Sequence, residues 1–200
     1  LESGRFDGGM ATEDLTEMVR GSGSEKVRNV IETGGTAYWH SGFIDARGNC
    51  RLLIENGTIV KVVEKSKSNM GKTSTLADFL TWGVKNYASE HMGVILWNHG
   101  GGSITGVCFD EMAQYDSLSL REIDAAFMSV LPLMKGKFDF IGFDACLMST
   151  IETANILATY AQYMIASQES EPGTGWDYAA IGEFLTRTPS AGGKAVGKII

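Results

Sequence analysis

Phe138-Asp139-Phe140-Ile141-Gly142-Phe143-Asp144-Ala145-Cys146-Leu147-Met148-Ser149 is an apolar run that ends in a cysteine. Phe138, Phe140, Ile141, Phe143 and Leu147 suit a strand buried on both faces, as parallel strands are. Ser149 with Thr150 then opens an apolar-periodic helical segment reaching Tyr160. A strand followed at once by a helix places Cys146 at the strand's carboxyl end, the edge where open α/β sheets hold ligands and reacting groups. Free cysteine is also among the most buried residue types, so Cys146 taken alone reads first as core packing.

Upstream lies a second wholly apolar run, Gly93-Val94-Ile95-Leu96-Trp97, expected to be a central parallel strand and ending in Asn98-His99-Gly100-Gly101-Gly102. Between the two runs, Ser119 and Glu122 form a capping box for a helix whose apolar face is Leu120, Ile123, Phe127, Val130, Leu131 and Met134. Thr75 with Asp78 is a variant of the same box, followed by a stripe of Leu76, Phe79, Leu80, Gly83, Val84 and Tyr87. Cys50 to Ile54 and Ile59 to Val63 flank Asn56-Gly57, a hairpin signal. Residues 1–10 read as a loop, followed by a helix from Thr12 to Val19 that Gly21-Ser22-Gly23-Ser24 breaks. Val27 to Thr33 and Tyr163 to Ser167 read as further strands. Strand and helix alternate through the centre, so the expectation is one α/β domain over residues 1–200 with helices on both faces of a mostly parallel sheet.

The chain has 200 residues, 20% charged and 44% hydrophobic, which matches a globular protein. No apolar run is long enough to span a bilayer. A net charge of −7 and the lack of any Lys/Arg cluster argue against general nucleic-acid binding and favour a cationic substrate. Cys50, Cys108 and Cys146 have no CxxC spacing; a Cys50–Cys108 disulfide is compatible with the sequence.

Two apolar strands that end in His99 and in Cys146, separated by a helical crossover, bring both residues to one sheet edge. A thiol with ordinary acidity is a minor thiolate at neutral pH, so a nearby imidazole that takes its proton makes it a competent nucleophile. The glycines after His99 let main-chain amides approach a substrate, and one of them with the Cys146 amide makes an oxyanion hole worth about 2.7–4 kcal/mol per donor. Residues two apart on an extended strand point the same way, so the Asp144 carboxylate is expected beside the Cys146 side chain. A carboxylate there opposes thiolate formation, so holding a substrate cation suits it better than activating the thiol. The alternative is that Asp144 caps the helix after Cys146.

These blocks resemble the clostripain family, cysteine endopeptidases of the caspase-like clan. Leu96-Trp97-Asn98-His99-Gly100-Gly101-Gly102 and Phe143-Asp144-Ala145-Cys146-Leu147-Met148-Ser149 are similar to its two catalytic blocks. Asn69-Met70-Gly71 before Leu76-Ala77-Asp78-Phe79-Leu80, and Glu171-Pro172-Gly173-Thr174-Gly175-Trp176, are similar to further family segments, in order, from about Thr12 to Trp176. The resemblance implies a caspase-like αβα sandwich with a mostly parallel central sheet. It implies a His99/Cys146 dyad, oxyanion amides at Gly100 and Cys146, and Asp144 at the base of a pocket for Arg or Lys before the scissile bond. Glu169 to Trp176 would be a wall of that pocket. It further implies no organic cofactor, a calcium requirement with no site assigned, export from a bacterial cell, and maturation by cleavage with a second processed fragment as partner. Caspase-like sheets begin with an apolar strand that residues 1–10 lack, and residues 196–200 stop as if within a helix, so truncation at one or both ends is expected. The stretch Thr105 to Ser119, read as a loop where family members can self-cleave, contains no Lys or Arg.

Other chemistries fit less well. Gly71-Lys72-Thr73 ends like a phosphate-binding loop, but Ser66 stands where that motif needs glycine. His99-Gly100-Gly101-Gly102 is similar to an esterase oxyanion loop, but the chain has no G-x-S-x-G elbow. His40, His91 and His99 show no metal-ligand spacing. A non-catalytic caspase-like module that binds basic peptides through Asp144 is the remaining alternative.

Overall fold

The computed structural model describes residues 1–4 and 8–200; the expected loop over residues 1–10 therefore lies partly outside the described residues. In chain order the elements are α1 (Met10–Gly21), β1 (Asn29–Thr33), β2 (Gly48–Glu55), β3 (Thr58–Ser66), α2 (Thr73–Asn86), β4 (Gly93–Trp97), α3 (Gly102–Thr105), β5 (Val107–Asp110), β6 (Asp116–Leu118), α4 (Leu120–Val130), β7 (Phe138–Asp144), α5 (Ile151–Leu157), β8 (Ala161–Ile165), α6 (Tyr178–Arg187) and α7 (Gly193–Val196). They form two compact units. The first comprises Leu1–Ser68, Pro172–Ala191 and Ala195–Ile200, the second Asn69–Glu171 and Gly192–Lys194.

The first unit holds the antiparallel sheet β1-β2-β3. Its β2–β3 turn is the expected Asn56-Gly57, both with positive φ (49° and 70°), the combination a two-residue turn needs to match strand twist. Leu52 and Ile54 are fully buried there, with Leu15 of α1, Trp39 and Ile44 in the same cluster.

The second unit holds the parallel sheet β4-β7-β8, with β7 in the middle. The apolar run Phe138–Phe143 is buried along almost its whole length, as its composition requires. Gly93–Trp97, expected to be central, is instead at the edge of this sheet, and only Leu96 in it is buried. The core joins Leu76, Leu80 and Val84 of α2 and Ile123, Ala126, Phe127 and Val130 of α4 to Leu96, Phe138, Ile141 and Phe143 of the strands. The Ser119/Glu122 capping box forms as expected: the Ser119 amide donates to Glu122 Oε2 at 3.0 Å and the Glu122 amide to Ser119 Oγ at 3.3 Å. The Thr75/Asp78 box does not. Helix α2 begins earlier, at Thr73 with Lys72 as its N-cap, and Thr75 Oγ1 instead donates back to the Asn69 carbonyl at 2.7 Å.

The stretch expected to be a loop before Ser119 is ordered into a small hairpin, β5–β6. Fully buried Asp110 organises it: its carboxylate accepts from the Met112 amide at 2.9 Å within the turn and from the Met70 amide at 2.9 Å outside it. At the other strand, Asp116 accepts from Asn69 Nδ2 at 2.7 Å and pairs with Lys72 at 2.7 Å. Asn69-Met70-Gly71 is thus stapled to the hairpin ahead of α2. All three cysteines are free thiols, so the Cys50–Cys108 bridge does not form.

Candidate active site

Strand register decides which residues meet. Trp97 of β4 pairs with Asp144 of β7, and the Asn98 amide continues the pairing to the Asp144 carbonyl at 3.4 Å. His99 and Cys146 each follow two residues beyond that matched pair, at one edge of the sheet. The contact continues through the glycine loop. A Cβ built on Gly100 would lie 2.2 Å from the Cys146 carbonyl oxygen and 3.1 Å from Ala145 Cβ, so only glycine lets the two segments approach this closely.

The main-chain donors at this edge are oriented by β5. Gly100 bridges antiparallel to Val107, flanked by Gly101 N–H to Gly106 O at 2.8 Å and Cys108 N–H to His99 O at 3.3 Å. In such a pair the flanking groups make the hydrogen bonds, so the amide of Gly100 itself is directed away from β5. Among the described residues neither the Gly100 nor the Cys146 amide donates a main-chain hydrogen bond.

Cys146 lies past the end of β7, in a turn where Leu147 has φ of 64°, and is half-buried. The segment Ser167–Glu171 runs antiparallel alongside it: Ser149 N–H donates to Ser167 O at 2.9 Å and Leu147 N–H to Glu169 O at 3.0 Å. The next contact in that ladder is the Glu171 amide, which donates to Cys146 Sγ at 3.3 Å. A donor aimed at the sulfur holds the Cys146 thiol in place. No residue pattern announces it, except that Pro172 biases Glu171 toward extended backbone.

His99 is exposed on one side, and Phe109 of β5 packs edge-on against its ring, with centroids 6.5 Å apart. Partial burial pushes its pKa below the ordinary imidazole value, which leaves the ring neutral and able to accept a proton at neutral pH. The other two histidines lie elsewhere. His40 Nε2 meets the Gly4 carbonyl at 2.8 Å, and His91 Nδ1 meets Asp139 at 3.2 Å.

Asp144 is buried, at 5% exposure, at the last position of β7. Because the strand ends there and the chain turns, two-residue alternation does not extend from Asp144 to Cys146. The capping alternative is also removed: α5 is capped by Thr150, whose hydroxyl accepts from the Thr153 amide at 3.2 Å. Glu169 is exposed, with its carbonyl on the Leu147 amide. Trp176 belongs to the first unit and is buried in it. Among the described residues no three His, Cys, Asp or Glu side chains converge as metal ligands. Among them, too, no helix is long and apolar enough to cross a membrane.

The sequence profile of the clostripain family, peptidases C11, matches residues 8–200. Clostripain of Hathewaya histolytica is 29% identical over an alignment covering 48% of this chain and 20% of that protein. A secreted C11 cysteine protease from Bacteroides thetaiotaomicron, solved with an irreversible peptide inhibitor, superposes with a TM-score of 0.69 at 22% identity, covering 92% of this chain and 51% of its own. An inactive zymogen C11 protease from Parabacteroides distasonis gives 0.67 at 23% identity, covering 92% and 51%. The chain thus spans about half the length of these solved relatives and a fifth of the curated one, and it shares the caspase-like α/β fold of the solved structures.

Proposed function

This chain belongs to the clostripain family, and from that premise we propose that it is a cysteine endopeptidase cutting after Arg or Lys with a Cys146/His99 dyad. The observation that carries the proposal is the matched pair Trp97–Asp144 followed by Gly100 seated against the Cys146 peptide, which puts the His99 and Cys146 positions and two main-chain amides at one edge. In the reaction, His99 takes the thiol proton as sulfur attacks the scissile carbonyl carbon. The oxyanion that forms is held by the amides of Gly100 and Cys146. As the C–N bond breaks, the proton on His99 passes to the leaving amine. Water, deprotonated by the same imidazole, then attacks the thioester, and the thiol leaves with its proton restored.

Asp144 supplies the negative charge for the substrate cation from the end of β7, and exposed Glu169 adds a second carboxylate beside the nucleophile's turn. A carboxylate buried at the strand end and excluded from helix capping supports that role. Peptides with Arg or Lys before the cut are the substrates this arrangement suits, and secretion, stated for a structural relative, is the corresponding address.

The test is a positional peptide-library digest, with and without a calcium chelator, comparing the parent with Cys146→Ala. The expected result is cleavage after basic residues that disappears in the variant while its melting temperature is kept. Turnover near the parental rate in Cys146→Ala overturns the assignment, and cleavage indifferent to the preceding residue overturns the specificity.

A further inference from the structure

We infer that Cys108 is a positioning residue for His99, strapping both ends of the Trp97–His99 segment so that the imidazole stands where the nucleophile needs it. The inference rests on the reading of His99 as the base for Cys146. Cys108 makes two contacts with that segment: its amide donates to the His99 carbonyl at 3.3 Å, and its thiol donates to the Trp97 carbonyl at 3.4 Å. One residue of β5 therefore grips two carbonyls that lie two residues apart on the exit from β4.

Trp97 ends β4 and the Asn98 amide still reaches the Asp144 carbonyl at 3.4 Å, but past that pair the segment leaves the sheet. Asn98 between the two carbonyls has φ of 126°, and its side-chain oxygen accepts from the His99 amide. Cys108 has φ of 60°, also in the region L residues rarely occupy. Such conformations are unfavourable for L residues and persist where surrounding contacts over-determine them. Here the contacts on the far side from β7 are those of Cys108 itself and of Phe109, whose ring edge meets the imidazole. Burial pushes the Cys108 thiol up to about 12, so it keeps its proton at neutral pH and acts as a donor, never as a second nucleophile. The position calls for a small side chain that donates a hydrogen bond and is not β-branched, and cysteine is one of the few that qualify.

The experiment follows alkylation of Cys146 by iodoacetamide at neutral pH, read by peptide mass so that other thiols do not contribute. Parent, Cys108→Ser and Cys108→Ala are compared, each with a thermal melt and a full pH profile. Serine keeps the donor, so its rate is expected within about threefold of the parent. Alanine leaves the Trp97 carbonyl unheld and is expected to react roughly tenfold more slowly, a tenth of what a full ångström of misplacement costs. Its pH profile should also be displaced, while the two variants melt alike. A parental rate and profile in Cys108→Ala overturns the inference, as does an equal loss in both variants. A parent Cys146 no more reactive than an ordinary thiol overturns the base reading itself, and so tells the two failures apart.

Discussion

Gly100→Ala puts the proposed geometry under the most direct strain. The added methyl falls 2.2 Å from the Cys146 carbonyl oxygen, with Ala145 Cβ and Met148 Cγ each at 3.1 Å, and real Cβ atoms essentially never come within 3.0 Å of another heavy atom. Either the glycine loop retreats or the Cys146 peptide rotates, by about 1 Å, and a misplacement of that size costs on the order of 100-fold in rate. Both movements spoil an oxyanion donor, the first that of Gly100 and the second that of Cys146, and one donor alone is worth about 2.7–4 kcal/mol. The fold loses only the overpacking penalty, about 1–3 kcal/mol. The assay is kcat/KM on a short peptide ending in Arg before a fluorogenic leaving group, beside a thermal melt. Gly83→Ala is the control: its Cβ meets nothing within 4 Å inside helix α2, so it should leave the rate alone and stabilise by about 0.5–1 kcal/mol. A folded Gly100→Ala protein within about threefold of the parental rate would refute the placement of the oxyanion hole.

Asp144→Asn should weaken cleavage after Arg by roughly 3–5 kcal/mol, the cost of leaving a buried cation without its partner, and spare an uncharged analogue; equal losses on both assign Asp144 to structure. Because burial lowers the His99 pKa, protonation disables the base only below its ordinary value of 6.5, so the acid limb of kcat/KM should lie under that pH. A limb at or above it would show that another group titrates. Tyr160 donates to Asp124 at 2.5 Å, and burial, then that carboxylate, push the phenol up to about 12 from 10.0. Folding therefore favours the neutral phenol. Its contribution is complete below pH 10 and is lost as pH rises toward 12; denaturant melts of Tyr160→Phe should show a shallower alkaline decline than the parent.

What could be read without coordinates was whatever depends on contiguous pattern. Phe138–Phe143 is apolar at nearly every position because both faces are covered, and Asn56-Gly57 supplies two positive φ angles that few other pairs tolerate. From two apolar parallel strands, the placement of His99 and Cys146 at one sheet edge follows by topology. Less was visible where a distant partner decides. Thr75 and Asp78 look like a cap, but Thr75 is drawn to the Asn69 carbonyl and the helix starts earlier. β5 and β6 are four and three residues long, too short for a periodic signal, and exist because buried Asp110 and Asp116 find Met70, Asn69 and Lys72 some forty residues upstream. For the same reason Cys108 gave no sign of its place beside His99. Asp144 shows the converse: β7 ends there and the chain turns, so strand alternation does not carry on to Cys146.

The β5–β6 hairpin also bears on how the chain meets other proteases. A peptidase takes its substrate as an extended strand whose main-chain groups are free to pair with the enzyme. Between Val107 and Leu118 those groups already face one another, the turn is closed by Asp110, and the outer strand is tied to Asn69 and Lys72. With no Lys or Arg from Thr105 to Ser119, this stretch lacks the residue type that the proposed specificity reads. Under the proposed specificity the stretch is therefore shielded twice, by pairing and by composition, from cleavage by a second copy of the same chain.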